Sequence, residues 1–371
     1  MPLSSAQVLA LRMRALLLTG ADSSPGPGRT VAGVVKWFGA MQAQDLASGL
    51  FSLGTRIPGA TEASVSDALE RKEALRTWPM RGTVHLVPPR DARWMVTLMG
   101  AKPLAGAAKR RETLGIPDAT ADGAVEALGN ALAGGKRLTR AECIQALNEA
   151  GVSTAGQASY HLLWYVSQKG VTCLAPNIGK EQTFVLLDDY VPNPHTPGRD
   201  EALGILALRY VRGHGPVTVK EMARWSGMGV RDCRVGVAAA GGSIVEVETE
   251  AGPMLVTPES LDAAEPGAGA YLTLPGFDEY MLGYGDRSLM LDPADFQQVV
   301  PGNNGVFRST LVRDGRALGT WKRTMRAKSC LVDAVPFQSG PGLSAADRAA
   351  FEAAFEPYAT FVGKPVEVRW A

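Results

Sequence analysis

The apolar positions near the amino terminus follow the 3.6-residue period of an amphipathic helix, but this period is interrupted once. Two apolar faces result, and they are one residue out of register with each other. The first face carries Val34, Trp37, Phe38 and Met41, and the second carries Leu46, Leu50 and Leu53. The slip predicts that one helix ends near Met41 and that another begins near Leu46.

The segment GAMQAQD at 39–45 places two glutamines, Gln42 and Gln44, in this predicted break. On an unbroken helix, residues two apart point about 200° away from each other, so the two amides could not share a target. A break between the helices removes that restriction. The alternative is that one glutamine caps a helix end while the other lies in solvent.

A pattern of helix, turn, helix and two strands recurs along the chain, and its last copy is the clearest. There, Thr218 precedes Glu221 at the capping-box spacing, and the first helix is expected to end at the glycine turn SGMG. A second helix leads into two alternating strands, SIVEVET and PMLVT. This order of elements is that of a winged helix.

The middle copy has the same form, with helices RLTRAECIQALNEAG and SYHLLWYVSQKG followed by strands VTCLAP and TFVLLD. The first copy is less regular. It combines the helix before MQAQD, the helix SVSDALERKEAL and the extended stretch RTWPMRGTVHLVPP, in which Pro79 and Gly82 suit a wing or an edge strand. We therefore predict three tandem winged helix-turn-helix domains, at 1–100, 101–198 and 199–266.

After the linker DAAEPGAGA, the composition changes to short strands separated by turns. Asp314 and Gly315, flanked by alternating residues, are a strong signal for a two-residue hairpin turn. One helix, SAADRAAFEAAFEPYATFVG, is expected between the last strands. Residues 267–371 are predicted to form a small β-barrel-like domain, which makes the fold class α+β.

The predicted hairpin region at 306–328, which we call the basic ribbon, carries many cations against the single acid Asp314. With Trp321 interleaved, such a ribbon is typical of an element that follows a DNA backbone. A solvated edge strand protected by charge is the alternative. The candidate DNA-binding cations are Arg308, Arg313, Arg316, Lys322, Arg323 and Arg326, and Lys328 adds to the charge.

Two further groups of residues are candidates for a site. Arg81 and His85 in WPMRGTVH are candidate DNA contacts close to the glutamine segment, although a histidine in a strand is more often structural. LPGFDEYMLGYGDR brings together Asp278, Glu279 and Asp286 with an arginine. Paired carboxylates suggest acid–base chemistry, but an acidic turn tied down by an arginine is more common, so their roles stay open.

Composition narrows the class of protein. At 371 residues, with 46% hydrophobic and 20% charged residues, the chain is typical of a soluble protein of several domains. Arginines interrupt the apolar amino terminus and no stretch has transmembrane length, so we expect a cytoplasmic protein without a membrane partner. The four cysteines and four histidines show no ligand spacing, and phosphate- or dinucleotide-binding motifs are missing. We therefore expect neither metal nor cofactor.

Together, the glutamine triplet, RTWPMRGTVHLV, LPGFDEYMLGYGDR and GVFRSTLVRDGRALGTWKR resemble the AlkZ-type bacterial winged-helix DNA glycosylases over nearly the whole chain. The resemblance implies a C-shaped monomer whose partner is double-stranded DNA. It also implies a monofunctional glycosylase that excises N7-alkylguanines and unhooks interstrand crosslinks left by natural products such as azinomycin. A sister branch has aspartate in place of the second glutamine, and this chain does not.

The resemblance makes Gln42 and Gln44 the catalytic candidates. An N7-alkylguanine is cationic, so it leaves through an oxocarbenium-like state without an acid to protonate it. The site then only has to place a water, and an amide can do this by accepting one hydrogen bond and donating another. Two amides would be sufficient for cationic lesions and too weak for neutral bases.

Two rival classes remain open at this point. A winged-helix transcription regulator would use the third copy as its recognition element, but Asp232 beside Arg231 and Arg234 leaves a thin basic face. A non-catalytic protein that senses damage or sequesters a drug is the other rival. Release of the free modified base separates a glycosylase from both.

Overall fold

The computed structural model of the protein describes residues 1–19, 28–263, 269–340 and 342–371. In chain order, the α-helices are α1 (Ser5–Ala15), α2 (Val31–Phe38), α3 (Leu46–Gly54), α4 (Glu62–Glu70), α5 (Ala92–Thr113), α6 (Asp118–Leu132), α7 (Arg140–Glu149), α8 (Ala158–Gln168), α9 (Leu187–Tyr190), α10 (Arg199–His214), α11 (Val219–Ser226), α12 (Val230–Ala240), α13 (Glu279–Leu282), α14 (Phe296–Val299), α15 (Ala345–Ala353) and α16 (Glu356–Val362).

The strands, also in chain order, are β1 (Met41–Gln42), β2 (Leu75–Met80), β3 (Thr83–Val87), β4 (Leu138–Thr139), β5 (Thr172–Ile178), β6 (Glu181–Leu186), β7 (Val245–Thr249), β8 (Gly252–Val256), β9 (Tyr271–Leu274), β10 (Ser309–Arg313), β11 (Arg316–Met325), β12 (Cys330–Pro336) and β13 (Val366–Trp370). The chain is thus of mixed α and β structure, as predicted. In the described residues, no helix has the length and hydropathy to cross a bilayer.

The chain divides into two compact units, and their bounds differ from those of the predicted domains. Unit 1 comprises Met1–Val65, Leu203–Trp225 and Gly229–Ala371, and unit 2 comprises Ser66–Ala202 and Ser226–Met228. Helices α4, α10 and α11 run across these divisions. The four predicted domains stay a prediction. Their boundary at 266/267 and most of the predicted linker lie within 264–268, outside the described residues.

The helix break in unit 1 is confirmed. Helix α2 begins after Thr30, whose hydroxyl accepts a hydrogen bond from the backbone N–H of Gly33, and it ends at Gly39 with a φ of 80°. Helix α3 begins after Asp45, whose carboxylate accepts a hydrogen bond from the N–H of Ser48 at 2.7 Å. Because Asp45 satisfies a donor of the new helix and Gly39 tolerates a left-handed backbone, local sequence determines both ends of the break.

The elements predicted for the third copy are present. Thr218 and Glu221 form the capping box at the start of α11, with the N–H of Thr218 donating to the Glu221 carboxylate at 2.8 Å. Gly227, with a φ of 74°, follows α11, and α12 leads to the antiparallel hairpin β7–β8. Val217 forms a bridge with Leu255 of β8. The assignment of these elements to a winged-helix domain stays a prediction.

The carboxyl-terminal strands of unit 1 form an open sheet, which corrects the prediction of a β-barrel-like domain. The strand order is β13-β12-β11-β10-β9, antiparallel except for the parallel pair β12–β13. Among the described residues β9 and β13 do not pair with each other, so the sheet has two edges. The tight turn between β10 and β11 is confirmed, because Asp314 and Gly315 have φ values of 49° and 80°.

The single helix predicted near the carboxyl terminus is wrong, since the segment forms two helices, α15 and α16. Pro357 lies in the first turn of α16. A proline inside a continuous helix would remove a hydrogen bond and clash with the preceding turn, whereas it is tolerated at a helix start. The aromatic rings of this segment pack on the sheet, with Phe355 edge-on to Trp321 at 5.3 Å between centroids.

Unit 2 joins the strands of the first and middle copies. Strands β3, β2, β5, β6 and β4 are neighbours in that order, and Arg76 of β2 pairs with Leu174 of β5. The strand pair predicted for the middle copy, β5–β6, is confirmed as an antiparallel hairpin, and the extended stretch predicted for the first copy forms a second one, β2–β3. Helices α5 to α8 belong to this unit, and the long helix α5 had no counterpart in the sequence prediction.

Candidate functional site

The two glutamines lie in the connection between α2 and α3. Gln42 is 9% exposed and forms part of β1, whereas Gln44 is exposed. Helix α3 approaches this connection closely, because a β-carbon at Gly49 would lie 2.9 Å from the Cβ of Ala43 and 3.2 Å from the carbonyl oxygen of Gln42. Glycine at position 49 therefore permits the close packing that holds the connection in place.

The side chain of Gln42 ends in a buried acceptor. Its Oε1 atom is buried and accepts no hydrogen bond from any described residue. The backbone N–H of Gln42 donates to Oε1 of Glu279 at 3.3 Å. A buried amide oxygen without a partner is uncommon, because its desolvation is not compensated, and such a group calls for an explanation.

Glu279 is the centre of a buried polar network in unit 1 and is 1% exposed. Its Oε2 atom accepts a hydrogen bond from the indole N–H of Trp225 at 3.0 Å and lies 3.2 Å from Nε2 of His214. The Nδ1 atom of His214 lies 3.1 Å from the carbonyl oxygen of Tyr210, and the Tyr210 ring stacks on the imidazole. The backbone of Gln42 is thereby anchored to a network of fully buried side chains.

The imidazole of His214 links two other members of this network. The Tyr210 carbonyl can only accept, so Nδ1 donates to it. Nε2 faces Oε2 of Glu279, so the ring joins the backbone of α10 to the buried carboxylate.

Asp278 lies in a second buried cluster beside the first. Its two oxygens accept hydrogen bonds from Arg56 at 2.8 and 2.9 Å, and Oδ2 also accepts from the hydroxyl of Ser52 at 2.6 Å. The N–H of Tyr280 donates to Oδ1, so Asp278 also caps α13. Burial raises the pKa of the Asp278 carboxyl, but the charge and hydrogen bonds of Arg56 outweigh it and the pKa is lowered overall.

The predicted acidic motif therefore separates into buried and exposed parts. Asp286 is exposed, and the N–H and hydroxyl of Ser288 lower its pKa. Its neighbour Arg287 donates to the carbonyl oxygen of Met281, while the arginine that pairs with Asp278 is Arg56. The arginine that pairs with Asp278 therefore follows α3 and does not come from the motif, whereas Arg287 of the motif bonds the backbone of the turn.

Sequence reasoning missed Arg56, His214 and Trp225. Arg56 lies 222 residues from Asp278, and His214 and Trp225 lie 65 and 54 residues from Glu279. Sequence patterns relate residues that are a few positions apart, so they could not predict these contacts. The adjacent acids at 278–279 were the only signal that the sequence offered for this network.

The structure divides the basic ribbon between the two ends of β11. Arg313 and Arg316 flank the β10–β11 turn, whereas Lys322, Arg323 and Arg326 lie at the other end. Arg323 follows Arg316 by seven positions along β11, which corresponds to a span of about 23 Å. The Trp321 side chain is buried and donates to the carbonyl oxygen of Leu274, so it does not interleave with the cations at the surface.

One end of the ribbon lies beside the glutamine segment. Arg323 forms an ion pair with Asp45 at 3.7 Å, and Asp45 directly follows Gln44. Lys322 is exposed, and the exposed Arg326 pairs with Glu367 at 3.3 Å. This end of β11 therefore brings predicted DNA-binding cations close to the predicted catalytic residues.

The remaining candidate cations lie elsewhere. Arg313 is held by Asp347 at 2.6 Å, and that carboxylate also accepts from the hydroxyl of Tyr271. Arg308 is exposed and donates to the carbonyl oxygen of Gln298 at 3.3 Å. These two arginines are not brought to the glutamine segment by the contacts they make.

In unit 2, the predicted pair Arg81 and His85 is brought together, with 3.4 Å between Nη2 of Arg81 and Nε2 of His85. His85 is fully buried, and its Nδ1 atom lies 2.9 Å from the carbonyl oxygen of Thr83. These contacts fit a structural histidine that orients Arg81. A direct DNA contact by either residue stays a prediction.

The description "DNA glycosylase AlkZ-like" belongs to a family model that matches residues 35–361. The chain belongs to the AlkZ-like DNA glycosylase family. The match includes the glutamine segment, both buried carboxylates and the whole basic ribbon, so the resemblance inferred from the motifs is confirmed.

A sequence match and a structural match, both in Streptomyces sahachiroi, support this assignment to the AlkZ-like family. An interstrand DNA cross-link repair glycosylase is 27% identical over 333 residues, which cover 85% of this chain and 87% of the relative. The solved structure of the S. sahachiroi DNA glycosylase AlkZ superimposes with a TM-score of 0.81 at 25% identity, and all of both chains is covered.

Proposed function

We propose that this chain is a monofunctional DNA glycosylase that hydrolyses the N-glycosidic bond of N7-alkylguanine adducts. Its substrates would include interstrand crosslinks left by azinomycin-like natural products, since a relative is a cross-link repair glycosylase. The observation that carries the proposal is the buried amide oxygen of Gln42, which has no hydrogen-bond partner among the described residues of a DNA glycosylase family member.

Gln42 and Gln44 would hold the water that attacks the sugar. The Gln42 Oε1 atom can accept a hydrogen bond from this water, and the exposed amide of Gln44 can donate to it or accept from it. An amide is a weak base, so the reaction depends on a leaving group that is already cationic. N7-alkylguanine meets this requirement, while a neutral base does not.

The carboxylates behind Gln42 support a mechanism without a charged catalyst. Asp278 is paired with Arg56, and both oxygens of Glu279 have buried partners, Oε1 the N–H of Gln42 and Oε2 the side chains of Trp225 and His214. Neither acid is therefore assigned a direct contact with the sugar cation. Their role is to position the connection between α2 and α3, chiefly through the hydrogen bond that the backbone N–H of Gln42 donates to Glu279.

The end of β11 beside the glutamines would grip the DNA backbone. Lys322, Arg323 and Arg326 supply the charge there, and the winged-helix elements would bind the duplex as a monomer. A base that is tethered to the opposite strand cannot swing fully into a deep pocket. Gln42 and Gln44 lie on the short connection between α2 and α3, so hydrolysis there would not require the base to enter a deep pocket.

The decisive experiment identifies the bases released from defined oligonucleotides by mass spectrometry. Duplexes carry N7-methylguanine, a bulky N7-guanine adduct, a crosslink or uracil, and each is incubated with the wild-type protein and with Gln42→Ala. We expect release of the N7-alkylated bases by the wild type and retention of uracil. A protein that binds damaged DNA without releasing any base would be a regulator or a damage-binding protein. Efficient uracil removal would refute the glutamine-only mechanism.

A further inference from the structure

Unit 2 contains an open groove of about 750 Å³ that the proposed base excision does not use. Two helices form most of its walls, α5 and α8, and the β2–β3 turn and the start of α7 complete them. The lining includes Arg110, Arg140, Gln157, Tyr160, His161 and Trp164. The volume is in the range of sites that bind organic ligands.

The groove combines aromatic rings with guanidinium groups. Tyr160 and Trp164 are four residues apart on α8, so both rings lie on the same face of that helix. Tyr160 is 45% exposed, which is unusual for a large aromatic side chain. The guanidinium of Arg140 lies 5.9 Å from the Tyr160 ring, within the range of a cation–π contact.

A second guanidinium, that of Arg110, is held at the opposite wall. Arg110 donates a hydrogen bond to the side chain of Gln157, and both residues line the groove. No carboxylate lines the groove among the described residues, so the local charge favours an anion. Phosphate is one of the anions whose oxygens match the planar donors of an arginine side chain.

His161 provides an independent indication that the groove receives a polar ligand. The side chain is 93% buried, with 7% exposed, and its Nε2 atom has no hydrogen-bond partner among the described residues. Burial lowers the pKa of His161, and the charges of Arg111 and Arg110 lower it further. Both effects disfavour the charged ring, and Nε2 is a buried polar atom on a residue that lines the groove.

We propose that this groove binds one unpaired nucleotide of DNA, with the base against Tyr160 and Trp164 and the phosphate on Arg110 and Arg140. Stacking on an aromatic ring requires an unpaired base, because the face of a paired base is covered by its neighbours. The Nε2 atom of His161 faces the base edge. Binding here is a second DNA contact, separate from the hydrolysis proposed for Gln42 and Gln44.

The test measures binding of the full-length protein to two single strands of equal length by fluorescence anisotropy. One strand is oligothymidylate, and the other has abasic sugars in place of the thymidines. Tyr160→Ala is expected to weaken oligothymidylate binding at least about fivefold, which is the lower range for loss of one base stack. It should leave abasic-strand binding unchanged, and Tyr160→Phe should bind both strands as the wild type does.

Arg140→Gln is expected to act differently, because it removes a phosphate contact. It should weaken binding to both strands and reduce the salt slope by about 0.7, as one lost contact to a single strand does. Lys180→Gln removes the same charge from the exposed β5–β6 turn and is the matched control, with both affinities unchanged.

The proposal is overturned if Tyr160→Ala binds oligothymidylate as tightly as the wild type, or if it weakens both strands equally. It is also overturned if Lys180→Gln reproduces the effect of Arg140→Gln, since the charge effect would then be general. Thermal unfolding of each variant confirms that it is folded. No base release is measured, so failure of the glycosylase proposal and failure of this proposal are distinguishable.

Discussion

Two regions of unit 1 carry the predicted chemistry, and they are built on opposite principles. Behind Gln42, Asp278 and Glu279 are 2% and 1% exposed, and each has specific hydrogen-bond partners from distant parts of the chain. At the end of β11, Lys322 and Arg326 are exposed, and the side chain of Arg326 forms a surface ion pair with Glu367. The first region depends on geometry, whereas the second depends on charge.

The difference teaches what each kind of substitution should do. A buried network is cooperative, so removal of one member leaves another polar group buried without its partner. Exposed cations are independent of one another and are screened by salt.

The largest effect is expected for Arg56→Met, which leaves the Asp278 carboxylate buried without its partner. The loss should lower the free energy of unfolding by about 3–5 kcal/mol, the usual cost of breaking a buried pair. Urea denaturation of both proteins measures it. The matched change in the exposed region is Arg326→Gln, which removes the pair with Glu367 and should cost at most about 1 kcal/mol. Equal losses in the two variants would contradict the contrast.

The next largest effect is expected on catalysis when the amides are removed. Gln44→Ala and Gln42→Ala should each reduce single-turnover excision of N7-methylguanine by at least about two orders of magnitude, since each loses a group that handles the water. DNA affinity should change little. Gln297→Ala, at an exposed glutamine of α14, is the control. Wild-type rates in both glutamine variants would remove the catalytic assignment.

A smaller effect is expected from the ribbon, and it should appear in binding instead of chemistry. Neutralising Arg313, Arg316 and Lys322 together should weaken binding to damaged and undamaged duplexes alike. The salt slope should fall by about one unit for each lost phosphate contact. The measurement is duplex affinity across a range of salt concentrations.

The split of the ribbon sharpens this experiment. Lys322→Gln with Arg326→Gln tests the end beside the glutamines, and Arg313→Gln with Arg316→Gln tests the other end. The first pair lies at the end of β11 where Arg323 contacts Asp45 beside the glutamines, so we expect the larger change in slope from it. No change in slope from any of these variants would mean that the ribbon does not contact phosphates.

The smallest effect is expected for Gln44→Asp, because the exposed position accepts a charge without burying it. The variant should keep or gain activity on N7-methylguanine, since a carboxylate can stabilise a sugar cation. Single-turnover excision with the wild type alongside measures the change. A loss as large as that of Gln44→Ala would show that the amide itself is required.

Much of the local structure could be predicted from the sequence. The slip in apolar register, with Gly39 and Asp45 at its ends, correctly predicts the break between α2 and α3. The capping box of Thr218 and the hairpin turn at Asp314 are likewise confirmed. These features depend on residues a few positions apart, whose backbone preferences act within a single turn of chain.

The site itself was predicted only in part. Gln42 and Gln44 were chosen as candidates through the motif, and their catalytic role stays a prediction, but the burial of one and the exposure of the other could not be predicted. The predicted barrel is an open sheet, because strand closure depends on how distant edges meet and not on the pattern within each strand. The alternation of residues along β11 predicted a hairpin strand, but not that its cations separate toward two ends.

Local sequence was sufficient to predict the break between α2 and α3, the capping box at the start of α11 and the turn between β10 and β11. Only the tertiary structure decided that Glu279, 237 residues away, anchors the backbone of Gln42, and that Arg56 neutralises Asp278 across 222 residues. The physical reason is that local preferences act through the backbone of neighbouring residues, whereas a buried charge is stable only where the folded chain brings a partner to it.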